Sequence, residues 1–116
     1  MTAGARLPPS LPNGHRVYAI GDIHGRVDLL RTLNSRIRRE LEVRPMARNV
    51  VVYLGDYIDR GGHSREVVDC LLDDGVAGAE AVHLMGNHEQ FLLSFLDDAE
   101  DGTAWLFNGG DTTLAN

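Results

Sequence analysis

The sequence GDYIDRG at residues 55–61 follows the apolar run VVVYL at residues 50–54. An uninterrupted run of β-branched and aromatic residues predicts a strand covered on both faces, as at the centre of a parallel sheet. The acidic residues then stand where this strand passes into a loop bounded by glycines. Ligands of open α/β sheets bind at the edge where the strands end. The segment therefore indicates an α/β fold and predicts a functional site at this edge of the sheet.

Two further segments also contain an apolar run that is followed directly by a block of polar residues. GDIHG at residues 21–25 follows a predicted strand over residues 17–20, and GNHE at residues 86–89 follows one over residues 81–85. The central strand is predicted over residues 49–54. Carboxylate, imidazole and amide groups are all metal ligands. Three blocks of them, each at the same point of the pattern, indicate a metal-dependent hydrolase.

Helices are predicted between the strands from apolar residues spaced three and four apart. They cover Val27–Val43, residues 64–74 and residues 88–98, and the segment after Asp98 is predicted to be a loop with a small turn. The order β-α-β-α-β-α predicts an α/β fold with a parallel sheet and right-handed crossovers. The apolar face of the first helix is predicted to contain Leu29, Leu30, Leu33, Ile37 and Leu41.

Composition and charge limit the class of protein. The 116 residues, 43% of them hydrophobic and 24% charged, suit one globular domain, predicted as a flexible leader over residues 1–15 and a domain over residues 16–116. The sequence contains no apolar run of the ~20 residues that cross a bilayer, and the net charge of −6 argues against a nucleic-acid partner. With Cys70 as the single cysteine and no secretory signal, we expect a cytoplasmic protein.

Asp22 and His24 are the first candidate metal ligands. They lie two residues apart in an extended exit from a strand, so their side chains can project to a common side. A carboxylate with an imidazole suits Mn, Fe or Zn better than Ca or Mg; the alternative is an N-cap aspartate beside a surface histidine. Asp56 stands at the same point after the second strand and could bridge two cations, the arrangement used for in-line displacement at phosphorus.

Five more polar residues complete the blocks. The planar fork of Arg60 matches phosphate oxygens, although Asp59 and Arg60 could instead form a surface ion pair. Asn87 offers an amide oxygen to a metal or, alternatively, caps a helix. His88 could act as a general acid if a carboxylate orients it, and Asp59 is the candidate carboxylate. Glu89 is interpreted as a first-turn acid that favours the helix dipole.

In this order, the three blocks resemble those of the calcineurin-like metallophosphoesterases, and more narrowly the phosphoprotein phosphatase branch of serine/threonine phosphatases. The segment from Trp105 to Leu114 looks more like the bacterial type, which includes small protein phosphatases and diadenosine tetraphosphatases. The resemblance implies the N-terminal half of a sandwich fold flanked by helices. It covers roughly residues 17–96.

The resemblance also implies two divalent metal ions, most commonly Mn, with Fe or Zn as alternatives. Asp22 and His24 would bind the first ion, Asp56 would bridge, and Asn87 would bind the second. Members of the family contribute further ligand histidines from a C-terminal half, whereas no histidine follows His88 in this sequence. The chain is therefore expected to be the N-terminal part of a longer enzyme.

For catalysis, the resemblance implies that His88 is the general acid paired with Asp59 and that Arg60 binds the phosphate. A metal-bridging hydroxide would attack phosphorus in line. The leading hypothesis is a phosphatase for phosphorylated proteins, and the second is hydrolysis of a small phosphoester or a dinucleoside polyphosphate. The third is a truncated domain that binds metal without turnover. No nucleic-acid or membrane partner is expected.

Overall fold

The computed structural model of the chain describes residues 7–73 and 75–116. In these residues a parallel sheet has the order β1-β2-β3, formed by His15–Ile20, Arg48–Tyr53 and Glu80–His83. The register pairs Ile20 with Tyr53, and Tyr53 with His83. The carboxyl ends of the strands therefore lie side by side, and the predicted α/β fold with a parallel sheet is confirmed.

The strands are connected by α1 (Val27–Val43) and α2 (Ser64–Asp73). Both crossovers step in the same direction across the sheet, so right-handed connections place both helices on one face, and the helices contact each other. The predicted end of the second helix at Asp74 lies outside the described residues, as does the start of the predicted leader (residues 1–6). Among the described helices, none has the length and apolar character needed to cross a membrane.

Strand β2 is covered more completely on one face than on the other. Val51 and Tyr53 are each 1% exposed, whereas Val50 and Val52, which alternate with them, are only partly buried. The prediction of a strand covered on both faces is therefore wrong for the described residues, because α1 and α2 both pack on the same side.

The buried face of α1 is rotated relative to the prediction. Leu29 and Leu33 are 56% and 38% exposed, and a polar residue, Asn34, lies in the buried face instead. The side-chain oxygen of Asn34 accepts a hydrogen bond of 3.1 Å from the hydroxyl of Tyr53. That bond gives each of the two buried side chains a hydrogen-bond partner, so the face of α1 that contains Asn34 turns toward the sheet. Its buried residues are Val27, Leu30, Asn34, Ile37 and Leu41.

After α3 (Asn87–Asp97), the predicted loop is instead a series of helical turns. They are a 3-10 turn (Ala99–Asp101), α4 (Gly102–Trp105) and α5 (Asp111–Ala115). Between α4 and α5 the chain kinks at Asn108 and Gly109, whose backbone angles are not helical. We term residues 99–115 the C-terminal helical segment. The predicted small turn is present at Gly109, whose φ is 103°. The prediction of a loop was wrong for the rest of the segment, which forms short helices, and Gly102 and Gly110 serve tertiary packing.

Packing around Trp105 shows what these glycines do. The Trp105 side chain is completely buried, and its ring centroid lies 5.1 Å from that of Phe95. A Cβ atom at Gly102 would collide with the ring of Phe95, and one at Gly110 would collide with the ring of Trp105. Glycine at 102 therefore lets the C-terminal helical segment approach α3 closely, and glycine at 110 lets the segment pack closely around its own Trp105.

Candidate metal centre and histidine–aspartate pair

Backbone hydrogen bonds join the loop after β1 to the loop after β2. The backbone oxygen of Asp56 accepts from the amides of Ile23 at 3.0 Å and His24 at 2.9 Å. The amide of Gly25 donates to the backbone oxygen of Tyr57 at 2.9 Å. These bonds bring the first and second polar blocks into contact at the carboxyl edge of the sheet.

Asp22, His24 and Asp56 form a candidate metal centre. One ligand atom from each lies within 4.8 Å of the others, and Nε2 of His24 is 3.5 Å from Oδ2 of Asp22. The second ring nitrogen of His24, Nδ1, donates to the backbone oxygen of Ile58 at 2.8 Å. This hydrogen bond leaves Nε2 with a lone pair for a metal, as the outer partner of a metal-binding histidine does. The donor set of two carboxylates and one imidazole fits a divalent ion such as Mn, Fe or Zn.

Asn87, in the first turn of α3, faces the carboxylate of Asp56. Its terminal amide lies 3.0 and 3.1 Å from the two carboxylate oxygens. With the amide nitrogen toward Asp56, Asn87 donates hydrogen bonds to both oxygens. If the amide oxygen points toward Asp56 instead, three oxygen atoms that only accept hydrogen bonds lie close together. A cation bound between them would offset their mutual repulsion. The structure thus places Asn87 where it and Asp56 can contact one ion.

Glu89 is a residue of this site that the sequence analysis interpreted only as a first-turn acid. Its carboxylate accepts hydrogen bonds from the amides of Asp56 at 2.6 Å, Tyr57 at 3.0 Å and Gly86 at 2.9 Å. One carboxylate therefore holds the loop after β2 against the loop after β3. A signal for this role exists in the sequence, because an acid three residues after the start of a helix commonly reaches back to the backbone there.

The two loops also meet without intervening side chains. A Cβ atom at Gly86 would collide with the backbone nitrogen and the carboxylate of Asp56, and one at Gly55 would collide with the backbone of Gly86. Glycine at both positions therefore permits the approach that sets Asn87 beside Asp56.

His88 and Asp59 form a buried pair. Nδ1 of His88 lies 2.7 Å from Oδ2 of Asp59, and the two side chains are 4% and 0% exposed. An ionised carboxylate only accepts hydrogen bonds, so Nδ1 of His88 is the donor and Nε2 is the atom that can gain or lose a proton. The amide of His88 donates to Oδ1 of Asp56 at 3.0 Å, which places the pair directly beside the candidate metal centre.

Four candidate site residues have left-handed backbone conformations. The φ angles are 44° at His24, 55° at Asp56, 76° at Asp59 and 69° at Arg60. This conformation costs a residue other than glycine about 1–2 kcal/mol, and such strain concentrates at functional sites that the surrounding structure holds in place. In the described part of the chain, every residue other than glycine that has a positive φ is one of these four. The strained backbone therefore lies at the predicted site.

Arg60 is exposed and directly follows the buried Asp59. Its amide donates to the backbone oxygen of Gly109 at 3.1 Å. The alternative of a surface ion pair between Asp59 and Arg60 is wrong, because the Asp59 carboxylate is buried against His88. The guanidinium is thus at the surface, one residue from the histidine–aspartate pair.

Tyr57 ties the ends of β2 and β3 together beneath the site. Its hydroxyl lies 2.6 Å from the backbone oxygen of Leu84 and 3.0 Å from that of Tyr53. Burial, and then the nearby negative charge of Glu89, raise the pKa of Tyr57 to about 12. The hydroxyl therefore stays protonated and serves as a hydrogen-bond donor at neutral pH.

The sequence profile of the calcineurin-like phosphoesterase family matches residues 15–114. That match spans most of the chain, including the three polar blocks. The chain therefore belongs to the calcineurin-like phosphoesterase family, whose members are metal-dependent hydrolases.

The chain is similar to segments of several serine/threonine-protein phosphatases. It is 33% identical over 75 residues to serine/threonine-protein phosphatase with EF-hands 1 of Rattus norvegicus, which covers 64% of this chain and 11% of that protein. It is 36% identical over 91 residues to serine/threonine-protein phosphatase 5 of Solanum lycopersicum, covering 72% and 15%. It is 35% identical over 89 residues to serine/threonine-protein phosphatase rdgC of Drosophila melanogaster, covering 75% and 13%.

The chain thus spans less than a sixth of the length of these relatives. The three relatives come from animals and a plant, so they give no support to the bacterial type that the segment from Trp105 to Leu114 suggested.

Proposed function

We propose that this chain is part of a metal-dependent phosphoric ester hydrolase that acts on phosphoserine or phosphothreonine in proteins. The observation that supports this most directly is the contact between the Asp56 carboxylate and the amide of His88. It sets the candidate metal centre beside a histidine that a buried carboxylate orients. Metal activation and a proton donor are what hydrolysis of a phosphate ester requires, and the names of the relatives favour a protein substrate.

In this proposal, Asp22 and His24 would hold one divalent ion, Asn87 would hold a second, and the Asp56 carboxylate would be a ligand available to both. Mn is the expected metal, with Fe and Zn as alternatives, because the ligand set combines carboxylates with imidazole and amide groups. When bound, the ions would supply Lewis-acid charge to the phosphate and would lower the pKa of water. Glu89 holds the loop that contains Asp56 close to the loop that leads into Asn87, because its carboxylate accepts hydrogen bonds from the backbone amides of both loops.

His88 delivers a proton from Nε2 to the leaving oxygen of the serine or threonine. Asp59 orients the ring through Nδ1 and stabilises the imidazolium form before the transfer. Arg60, exposed beside this pair, binds the phosphate oxygens through its planar fork.

The test measures phosphate release from a phosphoserine peptide with added Mn, comparing wild type with Asp56→Asn and His88→Gln. Asp69→Asn, an exposed acid on α2, and His15→Gln, at the start of β1, are the matched controls. We expect both site variants to lose about 100-fold or more in rate, with the controls close to wild type. Site variants as active as their controls would refute the assignment.

The same assay separates the remaining hypotheses. Faster hydrolysis of diadenosine tetraphosphate than of the phosphopeptide would reassign the substrate to a dinucleoside polyphosphate. Binding of Mn, counted by elemental analysis, with hydrolysis of neither substrate would support a metal-binding domain without turnover.

A further inference from the structure

Among the described residues, the Asp59 carboxylate has two side-chain partners besides His88, and both come from the C-terminal helical segment. Nε1 of Trp105 donates to Oδ2 at 2.7 Å, and Oγ1 of Thr113 donates to Oδ1 at 2.6 Å. Together with Nδ1 of His88 on Oδ2, these bonds engage both carboxylate oxygens. The orientation of the carboxylate is thereby fixed from three directions.

The same segment also holds the backbone around Asp59. The amide of Asp59 lies 3.0 Å from both the hydroxyl of Ser64 and the hydroxyl of Thr113, and the amide of Arg60 bonds to Gly109. A Cβ atom at Gly109 would collide with the backbone and side chain of Arg60. Since Asp59 and Arg60 are both left-handed, these contacts hold a strained turn that its own residue types disfavour.

The charges of the partners matter as much as their positions. A wholly buried carboxylate needs hydrogen bonds to offset its lost hydration, and Trp105 and Thr113 supply them without adding a positive charge. Among the described residues, the basic side chain in contact with the Asp59 carboxylate is that of His88. The negative charge of Asp59 is therefore directed to the imidazole ring rather than shared with an arginine.

We propose that Trp105 and Thr113 are positioning residues that hold Asp59, and through it His88, in the geometry for proton transfer. This inference rests on the proposed function for its catalytic consequence. Its geometric part, the hydrogen bond from the indole to Asp59, stands independently and can be measured without activity.

The first experiment uses the indole N–H resonance of Trp105, which is the only tryptophan in the sequence. In a ¹⁵N-labelled full chain, we expect one indole resonance with slow solvent exchange. Asp59→Asn should shift that resonance and speed its exchange, whereas the matched control Asp69→Asn should leave it unchanged. An indole resonance that responds equally to both substitutions would overturn the proposed contact.

The second experiment compares two substrates that differ in the need for a proton donor, phenyl phosphate and 4-nitrophenyl phosphate. Thr113→Val keeps the shape of the side chain but removes its donor, and Trp105→Phe keeps an aromatic ring, although a smaller one, and removes the indole donor. We expect kcat on phenyl phosphate to fall by about 10–100-fold, the usual effect of losing an outer-shell partner. On 4-nitrophenyl phosphate, whose leaving group needs little protonation, the fall should be a few-fold, with KM nearly unchanged.

Thr113→Ser restores the hydroxyl and should recover most of the lost rate, while Thr103→Val, exposed in the same segment, serves as the control. Equal losses on the two substrates, or no recovery in Thr113→Ser, would show a merely structural role and overturn the inference. If wild type hydrolyses neither substrate, the proposed function fails, and the indole measurement still decides whether the contact exists.

Discussion

The carboxylate of Glu89 accepts the backbone amide of Asp56 at 2.6 Å. This bond joins the third polar block to the second, across two loops that are far apart in the sequence. Because the amides of Tyr57 and Gly86 share the same carboxylate, Glu89 determines where the bridging candidate, Asp56, sits relative to Asn87.

Replacing Glu89 with glutamine should therefore destabilise the protein. The substitution replaces one acceptor oxygen with a donor group that faces backbone amides, and an unsatisfied buried donor costs about 1–3 kcal/mol. The free energy of unfolding from urea titration measures the loss. Glu42→Gln, at an exposed position near the end of α1, is the control, and equal stability of the two variants would contradict the role of Glu89.

Replacing Gly86 with alanine should damage the same junction by steric overlap. The added Cβ would meet the backbone nitrogen and carboxylate of Asp56, and forcing an extra methyl group into a packed site typically costs about 1–3 kcal/mol. Thermal unfolding of Gly86→Ala should occur at a lower temperature than that of Gly75→Ala, where a Cβ meets nothing within 4 Å. If the two melt together, the loops are not packed as described.

Metal binding should depend on Asp22. Asp22→Asn removes the charge of a candidate ligand next to His24. Losing even an outer partner of a metal ligand lowers metal affinity by roughly 10–100-fold, so we expect the Mn affinity measured by calorimetry to fall by at least that much. Asp69→Asn should bind as wild type does. Retention of full affinity in Asp22→Asn would exclude this carboxylate from the metal centre.

Stability at alkaline pH should report the burial of Tyr57. Its pKa is raised from 10.0 to about 12 in the folded protein, so between these values the folded state binds more protons than the unfolded state. The stabilisation is complete below pH 10 and is lost as the pH rises toward 12. The free energy of unfolding should therefore fall more steeply over this window for wild type than for Tyr57→Phe.

Tyr18→Phe, whose hydroxyl contacts Arg16 on β1, is the control for this experiment. Parallel pH profiles for wild type and Tyr57→Phe would mean that the Tyr57 hydroxyl titrates alike in the folded and unfolded states.

Local patterns in the sequence predicted the sheet and the placement of the polar blocks. Strand-like runs followed by acids and amides gave the order of elements, and apolar spacing gave the bounds of α1, because these signals act over a few residues. The face of α1 was misplaced since a buried Asn34 is stable only through its bond to Tyr53. That partner is not visible in the helix pattern itself.

The hydrogen-bond partners of Asp59 could not be predicted either, because they lie far from it along the chain. Trp105 and Thr113 are 46 and 54 residues away along the chain. Glycines at 102 and 110 resemble turn signals until the rings of Phe95 and Trp105 are seen to occupy the space beside them. Tertiary packing therefore overrode the local preference for a loop.

The separation between Asp59 and its two distal donors has a consequence for how the protein matures. Contacts between distant parts of a chain form late, because the entropy of closing a long loop must be overcome first. During synthesis from the N-terminus, all three strands emerge from the ribosome before Trp105 and Thr113 do. The sheet can therefore be complete before these donors are available, and the Asp59 carboxylate gains its bonds to Trp105 and Thr113 only when α4 and α5 dock.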